Sequence, residues 1–175
     1  MDTPTQDAII QRAFDTVADD LLLSQNTLVR RAATELLCNL MASPHCAEKF
    51  ADGSGRAGAR LHLLCALTDV DDTATRSAAG GALAMLLSID LAVMELLKLE
   101  KGVDFVLGLC RDENEHVRHR GVACVREVVA IGPQGIDTVK AKGGIEALKT
   151  MLKESRSQDV LGLGVETLKI LLGQQ

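Results

Sequence analysis

Aromatic residues are almost missing from this chain of 175 residues, which has three Phe and no Trp or Tyr. β-Sandwiches and barrels fill their interiors with aromatic and β-branched side chains, so a core this poor in rings must be built from Leu, Ala and Val, as closely packed helices allow. Basic charge is also in deficit. The formal net charge is −5, and with no aromatics to interleave with basic residues the chain lacks the footprint of a nucleic-acid binder. No apolar run of membrane length occurs. The nearest, Ala78 to Leu97, is broken by Ser88, Asp90 and Glu95, and a carboxylate near the middle of a bilayer is costly. That stretch reads as two packed helices with Asp90 capping the second. The N-terminus, Met1-Asp-Thr-Pro-Thr-Gln-Asp7, has neither the basic nor the apolar region of a secretory signal. The expected location is therefore cytosolic, with no membrane partner. Cys38, Cys46, Cys65, Cys110 and Cys124 are unevenly spaced and fall where helices bury small residues. They are expected to be reduced, structural thiols.

What the chain does have is a repeat. Val29-Arg-Arg-Ala-Ala-Thr-Glu-Leu-Leu-Cys-Asn-Leu40 is echoed by Thr75-Arg-Ser-Ala-Ala-Gly-Gly-Ala-Leu-Ala-Met-Leu86. Two further copies follow, Val117-Arg-His-Arg-Gly-Val-Ala-Cys-Val-Arg-Glu-Val128 and Val160-Leu-Gly-Leu-Gly-Val-Glu-Thr-Leu-Lys-Ile-Leu171. The starts are 46, 42 and 43 residues apart, within the range of armadillo and HEAT repeats. Around each copy the pattern predicts a long, a short and a medium helix, which favours armadillo. The expectation is an all-α, armadillo-like helical-repeat solenoid forming a single domain over 1–175, with repeats at 28–72, 73–115 and 116–156. These are flanked by an N-terminal helix at 5–23 and a C-terminal helix at 157–172. Ser43-Pro44 is a helix-start signal, and Asp69-Val-Asp-Asp72 reads as a loop and cap. Gly102 and Gly144 precede the third element of their repeats, where a tight corner favours Gly.

The 100° step of a helix then sorts each copy into faces. In the first, Val29, Ala33, Leu36, Leu37 and Leu40 should be buried, and in the N-terminal helix Ile10, Phe14, Val17 and Leu21. Arg31, Glu35 and Asn39 fall opposite, with Ser77, Gly81 and Met85, then His119, Ala123 and Glu127, as their equivalents. Solenoids of this kind hold another protein in a concave groove, and Asn39 stands where many armadillo proteins carry an Asn that bonds a peptide backbone. These nine residues are the candidate protein-binding groove. Binding of basic nuclear-localisation peptides is disfavoured, because it needs repeated Trp and Asn shelves. Arg30, Arg76 and Arg118 form a second row beside the buried face. A cation in the first turn opposes the helix macrodipole, so this row reads as structural, pairing with caps or bridging repeats. Gly80 and Gly81, each costing about 1 kcal/mol inside a helix, suggest neighbours too close for a side chain.

Several strings resemble the C-terminal part of the UCS-domain family of armadillo-repeat chaperones that act on myosin heads. They are Arg30-Arg-Ala-Ala-Thr-Glu35 with Cys38-Asn39, Ala51-Asp-Gly-Ser54 with Arg60-Leu-His-Leu-Leu-Cys65, Ala78-Ala-Gly-Gly-Ala-Leu-Ala-Met-Leu86, and Val117-Arg-His-Arg-Gly121. The resemblance implies a cytoplasmic, non-enzymatic protein-binding module that assists folding or assembly of the myosin motor domain. It also implies the ninety-kilodalton heat-shock chaperone as a companion, although the tetratricopeptide segment that recruits it in animal members is not in this sequence. The alternative is a generic armadillo scaffold or adaptor with no chaperone activity. The family's loop arginine is shifted here, with Arg56 and Arg60 as candidates.

Four apparent sites read as decoys. Gly53-Ser-Gly55-Arg-Ala-Gly58 matches the dinucleotide pattern but follows a helix where a strand is required. His62 and Cys65, with His45-Cys46, lack a paired Cys-x-x-Cys for zinc. Asp69-Val-Asp-Asp72 lacks the Gly and terminal Glu of a calcium loop. His116 and His119 lie near Glu115 with no nucleophile to serve. No cofactor, metal or catalytic residue is expected.

Overall fold

The computed structural model describes residues 3–174; Met1 and Asp2 of the N-terminal segment discussed above lie outside it. Eleven α-helices and no strand are found among the described residues. They are α1 (Thr3–Asp19), α2 (Thr27–Leu40), α3 (Pro44–Glu48), α4 (Gly55–Ala66), α5 (Thr73–Leu86), α6 (Asp90–Lys98), α7 (Gly102–Cys110), α8 (Glu115–Ala130), α9 (Pro133–Ala141), α10 (Gly144–Glu154) and α11 (Gln158–Leu172). The four long helices, α2, α5, α8 and α11, stack in order, each on the next. Behind them α4, α7 and α10 form a second row. The result is an armadillo-like solenoid.

Each long helix starts the same way. Asn26 accepts from the Leu28 and Val29 amides at 2.9 and 3.3 Å, and Asn114 accepts from His116 and Val117 at the same two distances. Asp72 and Ser157 cap Thr75 and Val160. All four occupy one repeat position, and each satisfies donors that the helix itself leaves free. Asp90 differs from expectation. It is the first helical residue of α6, and Ile89 holds the cap position without a side-chain bond.

The arginine row closes each loop against the helix that follows. Arg30, Arg76 and Arg118 donate Nη1 to the carbonyl six residues earlier, on Ser24, Val70 and Asp112, at 2.9, 3.0 and 2.7 Å. In the second and third the Nε groups reach forward to the next repeat. Arg76 meets Asp112 at 2.6 Å and Arg118 meets Ser155 at 3.1 Å. Val70 stands at the repeat position of Asp112 and Ser155, so Arg30 has no side chain to meet, and its buried Nε lacks a hydrogen-bond partner.

Burial follows the repeat in the middle of the solenoid and departs from it at the start. Ala33 and Leu37 are buried, but Val29 is 38% and Leu36 43% exposed, whereas their equivalents Thr75, Val117, Ala82 and Cys124 are fully buried. Within the described residues α1 comes before α2 and packs on it, but it leaves Val29 and Leu36 open where α5, α8 and α11 bury the equivalent positions. In the N-terminal helix Phe14 and Val17 are buried, Phe14 meeting Phe50 edge-to-face at 5.8 Å. The helix stops at Asp19 rather than Leu23, and a single 3-10 turn, Leu21–Leu23, turns Leu22 inward in place of Leu21.

Small residues set the spacing. A Cβ on Gly80 would lie 3.0 Å from Cβ of Arg120, and one on Gly81 3.1 Å from Sγ of Cys38. Gly102 and Gly144 sit against the Leu96 and Val139 carbonyls at corners with no room for a side chain. Gly121 is tighter than Gly80 or Gly81, its Cβ falling 2.5 Å from the Cys110 amide nitrogen, whereas Gly108 faces open space. Backbone cannot yield as a side-chain tip can. Gly121→Ala should therefore destabilise by about 3 kcal/mol despite its better helix propensity, while Gly108→Ala should stabilise by about 0.5–1 kcal/mol. Urea unfolding of the two variants checks both signs. The same assay should find Asp112→Ala about 3 kcal/mol less stable, since it strands a largely buried guanidinium. Arg31→Ala, which removes a far more exposed partner, should lose much less.

Candidate protein-binding face

The nine groove candidates do not all lie free. Arg31 makes a two-pronged ion pair with Asp72, the cap of the next long helix, with Nε to Oδ2 at 2.9 Å. It bridges repeats, a part the sequence reading assigned to the Arg30 row. Gly81 is buried between Cys38 and Arg120, which corrects its place in the groove. Position 81 belongs to the helix-to-helix seam, and its equivalents follow suit: Ala123 is half-buried, and in α11 Glu166 meets Arg126 of α8 at 3.7 Å. Glu35 is exposed because nothing among the described residues stacks on that side of α2. Ser77 and His119 are half-buried.

One turn further along, the long helices do present a common surface. Asn39 is exposed, Met85 is 41% exposed, and Glu127 is half-buried with Arg126 3.5 Å away. Ile170, at the same repeat position of α11, is 36% exposed. The first copy's 39, displaced by the three repeat offsets, gives 85, 127 and 170, so Ile170 was within reach of the repeat arithmetic. This row combines an amide, a thioether, a carboxylate and an aliphatic group. Such a mixture suits backbone hydrogen bonding and apolar contact with a protein segment, and contains no proton-transfer pair.

The two loop-arginine candidates separate clearly. Arg60 is buried, with Nε 2.8 Å from Oδ1 of Asp19 and Nη2 2.7 Å from Oδ2 of Asp19 and 3.1 Å from Oδ1 of Asp15, and its guanidinium lies 4.9 Å from the Phe14 ring centroid. It ties α4 to α1. Arg56 is exposed and touches Asp19 at 2.5 Å, so it is the arginine a partner could reach.

The apparent chemical sites fall apart on the structure. His62 is exposed while Cys65 is buried, and His45 bonds Gln11 at 2.8 Å. Asp72 is committed to capping and to Arg31. Among the described residues no cluster of three His, Cys, Asp or Glu could hold a metal ion. The five cysteines are free, and burial pushes the thiols of Cys65 and Cys110 up to about 12, so neither supplies a thiolate nucleophile near neutral pH. No helix among the described residues is long and apolar enough to cross a membrane.

Several carboxylates are held below their ordinary range. The Arg31 guanidinium, then the Thr75 hydroxyl, does this for Asp72, and Arg60 does it for Asp19. A group whose folded pKa is depressed contributes stability above its unfolded pKa, and that stability is lost as pH falls through the folded value. Thermal stability should therefore decline from about pH 5 downward. Asp72→Asn keeps a capping oxygen but cannot titrate, so its melting temperature should be lower at neutral pH and should fall less steeply with acid. Melting curves of both proteins across that range test the sign.

No family model matches the sequence. The chain is 34% identical over 155 residues to ring assembly protein 3 of Schizosaccharomyces pombe, an alignment covering 86% of this chain and 21% of that protein. It is 31% identical over 110 residues to protein unc-45 homolog B of Danio rerio, covering 61% of this chain and 11% of the relative. The chain thus spans about a fifth or less of these relatives' length. Among solved structures, UNC-45 from Drosophila melanogaster superposes with a TM-score of 0.84 at 20% identity, over 99% of this chain and 22% of that one. A computationally designed armadillo repeat protein for modular peptide recognition superposes with a TM-score of 0.58 at 13% identity, over 97% of this chain and 94% of the other. These two likenesses concern the fold alone.

Proposed function

We propose that this chain, a relative of the UCS-domain proteins, is a non-enzymatic protein-binding module that assists folding or assembly of a myosin motor domain. The observation that carries the reading is the row Asn39, Met85, Glu127 and Ile170, left accessible at one position of all four long helices. A row repeated at a fixed interval along a rigid solenoid suits an extended or partly unfolded segment, which offers backbone groups and side chains at regular spacing. Asn39 would bond that backbone without reading its sequence, Met85 and Ile170 would supply adaptable apolar contact, and Glu127 would favour a basic stretch. Arg31, Ser77, His119 and Ala123 would flank the row. A cytoplasmic location belongs to the same reading, and the heat-shock chaperone is assigned no surface on this chain. A scaffold that binds the same client without assisting its folding is the second reading, supported by the solenoid itself, whose extended surface is suited to binding.

The test is binding to a purified myosin motor domain. Asn39→Ala combined with Glu127→Ala should weaken binding about tenfold, or about 1.4 kcal/mol, while leaving stability within about 0.5 kcal/mol. Arg76→Ala should do the reverse, losing about 3 kcal/mol of stability with unchanged affinity of the folded fraction. Wild-type affinity in the double variant would reject the row as the contact surface. Suppression of thermal aggregation of the motor domain by the wild-type chain separates chaperone from scaffold.

A further inference from the structure

Arg120 is a cation that the solenoid positions and does not neutralise. On the long helices Arg31 is paired with Asp72, Arg76 with Asp112, Arg118 with Glu115, and Arg126 with Glu127 and Glu166, while Arg30 bonds the Ser24 carbonyl. Arg120 is exposed and has no carboxylate partner among the described residues.

The place it occupies is made by glycine. A Cβ on Gly80 would lie 3.0 Å from Cβ of Arg120, and one on Gly81 would lie 3.6 Å from its Nε, 3.9 Å from its Cζ and 3.1 Å from Sγ of Cys38. The side chain thus leaves α8, crosses α5 over two residues that have no side chain of their own, and approaches the edge of α2. Leu109 of α7 packs against Gly80 from the second row, so the guanidinium lies on the side away from α7. Cys38 precedes Asn39, and Gly81 comes one turn before Met85, which sets the charge beside the first two members of the candidate row. Position 120 is Ala32, Ala78 and Leu163 in the other copies, so the repeat carries this charge once. The helices around it, α2, α5 and α11, are all in the structure, and its exposure does not depend on where the chain begins or ends.

We propose that Arg120 receives an aspartate or glutamate side chain of the segment bound along the row, an inference that deepens, and rests on, the reading of that row as a protein-binding surface. A planar guanidinium offers parallel N–H groups to a carboxylate, and one already laid along a backbone has less side-chain freedom to lose on binding than a fully solvated arginine. With Glu127 favouring a basic residue on the next helix, the bound segment is mixed in charge, acidic over α5 and basic over α8.

The test begins without the myosin client. A random twelve-residue peptide library, displayed with no free C-terminus and selected on the 175-residue chain, should enrich Asp or Glu at one position. Arg120→Gln should abolish that preference, and Arg120→Glu should replace it with Lys or Arg. Because Arg120 has no ion pair to lose, Arg120→Gln should leave the melting temperature unchanged, unlike Arg76→Ala. The same variant should weaken binding of the myosin motor domain about tenfold and reduce its sensitivity to salt. A library that enriches no acidic residue, an acidic preference that survives Arg120→Gln, or a melting temperature lowered as in Arg76→Ala overturns the proposal. Motor-domain binding that needs Asn39 and Glu127 but is untouched by Arg120→Gln rejects this inference and leaves the client reading standing. An acidic preference that depends on Arg120, in a chain with no affinity for the motor domain, supports the inference and rejects the client.

Discussion

The covering of one long helix by the next is the contact on which everything else in this molecule rests. With three rings in the whole chain, no single large side chain can anchor the core, and burial has to come from many Leu, Ala and Val groups brought into close register. Position 80 shows how close that register is: a glycine here, a buried valine at 122, and at 165 another valine that no described helix covers. The exposure of equivalent residues is a direct readout of whether a neighbour is present, and it changes from complete burial to nearly half exposure with no change in residue type.

Stacking of this kind places polar loops at the edge of a dry interior, and the arginine row resolves that conflict. Each guanidinium takes the carbonyl six residues back and, where the next repeat supplies an acceptor, a side chain ahead. A cation near a helix N-terminus is unfavourable alone; here it is offset by several charge-assisted hydrogen bonds from one planar group, which Lys could not make. The repeat is imperfect in this respect. Val70 in place of an acceptor leaves Arg30 Nε unsatisfied, a local weakness in the first repeat that the second and third do not share.

The candidate binding row stays accessible for a reason tied to the same geometry. One turn before it Gly81 and Ala123 are drawn into the seam, and two turns before it Arg31 is drawn into a bridge with Asp72. Positions 39, 85, 127 and 170 face away from both neighbours and keep some exposure on every long helix of the repeat.

Much of this was legible in one sequence. The 46-, 42- and 43-residue offsets, the cap at Asp72, the tight corners at Gly102 and Gly144 and the structural role of the arginines all follow from local rules: helical period, capping chemistry and the steric demand for glycine. Where the reading failed, the deciding term was a neighbour that local pattern does not encode. Leu36 and Val29 have the periodicity of core residues but are left uncovered among the described residues, and Leu21 lost its place inside to Leu22 when the helix gave way to a 3-10 turn. Gly81 lies on a nominally outward face that the neighbouring helix occupies. By itself the sequence determined which segments are helical, where they begin and at what interval they recur, because those depend on contacts within a few residues. Tertiary structure alone decided which faces are seam, groove or open end, because burial is a property of two surfaces and a periodic pattern specifies only one.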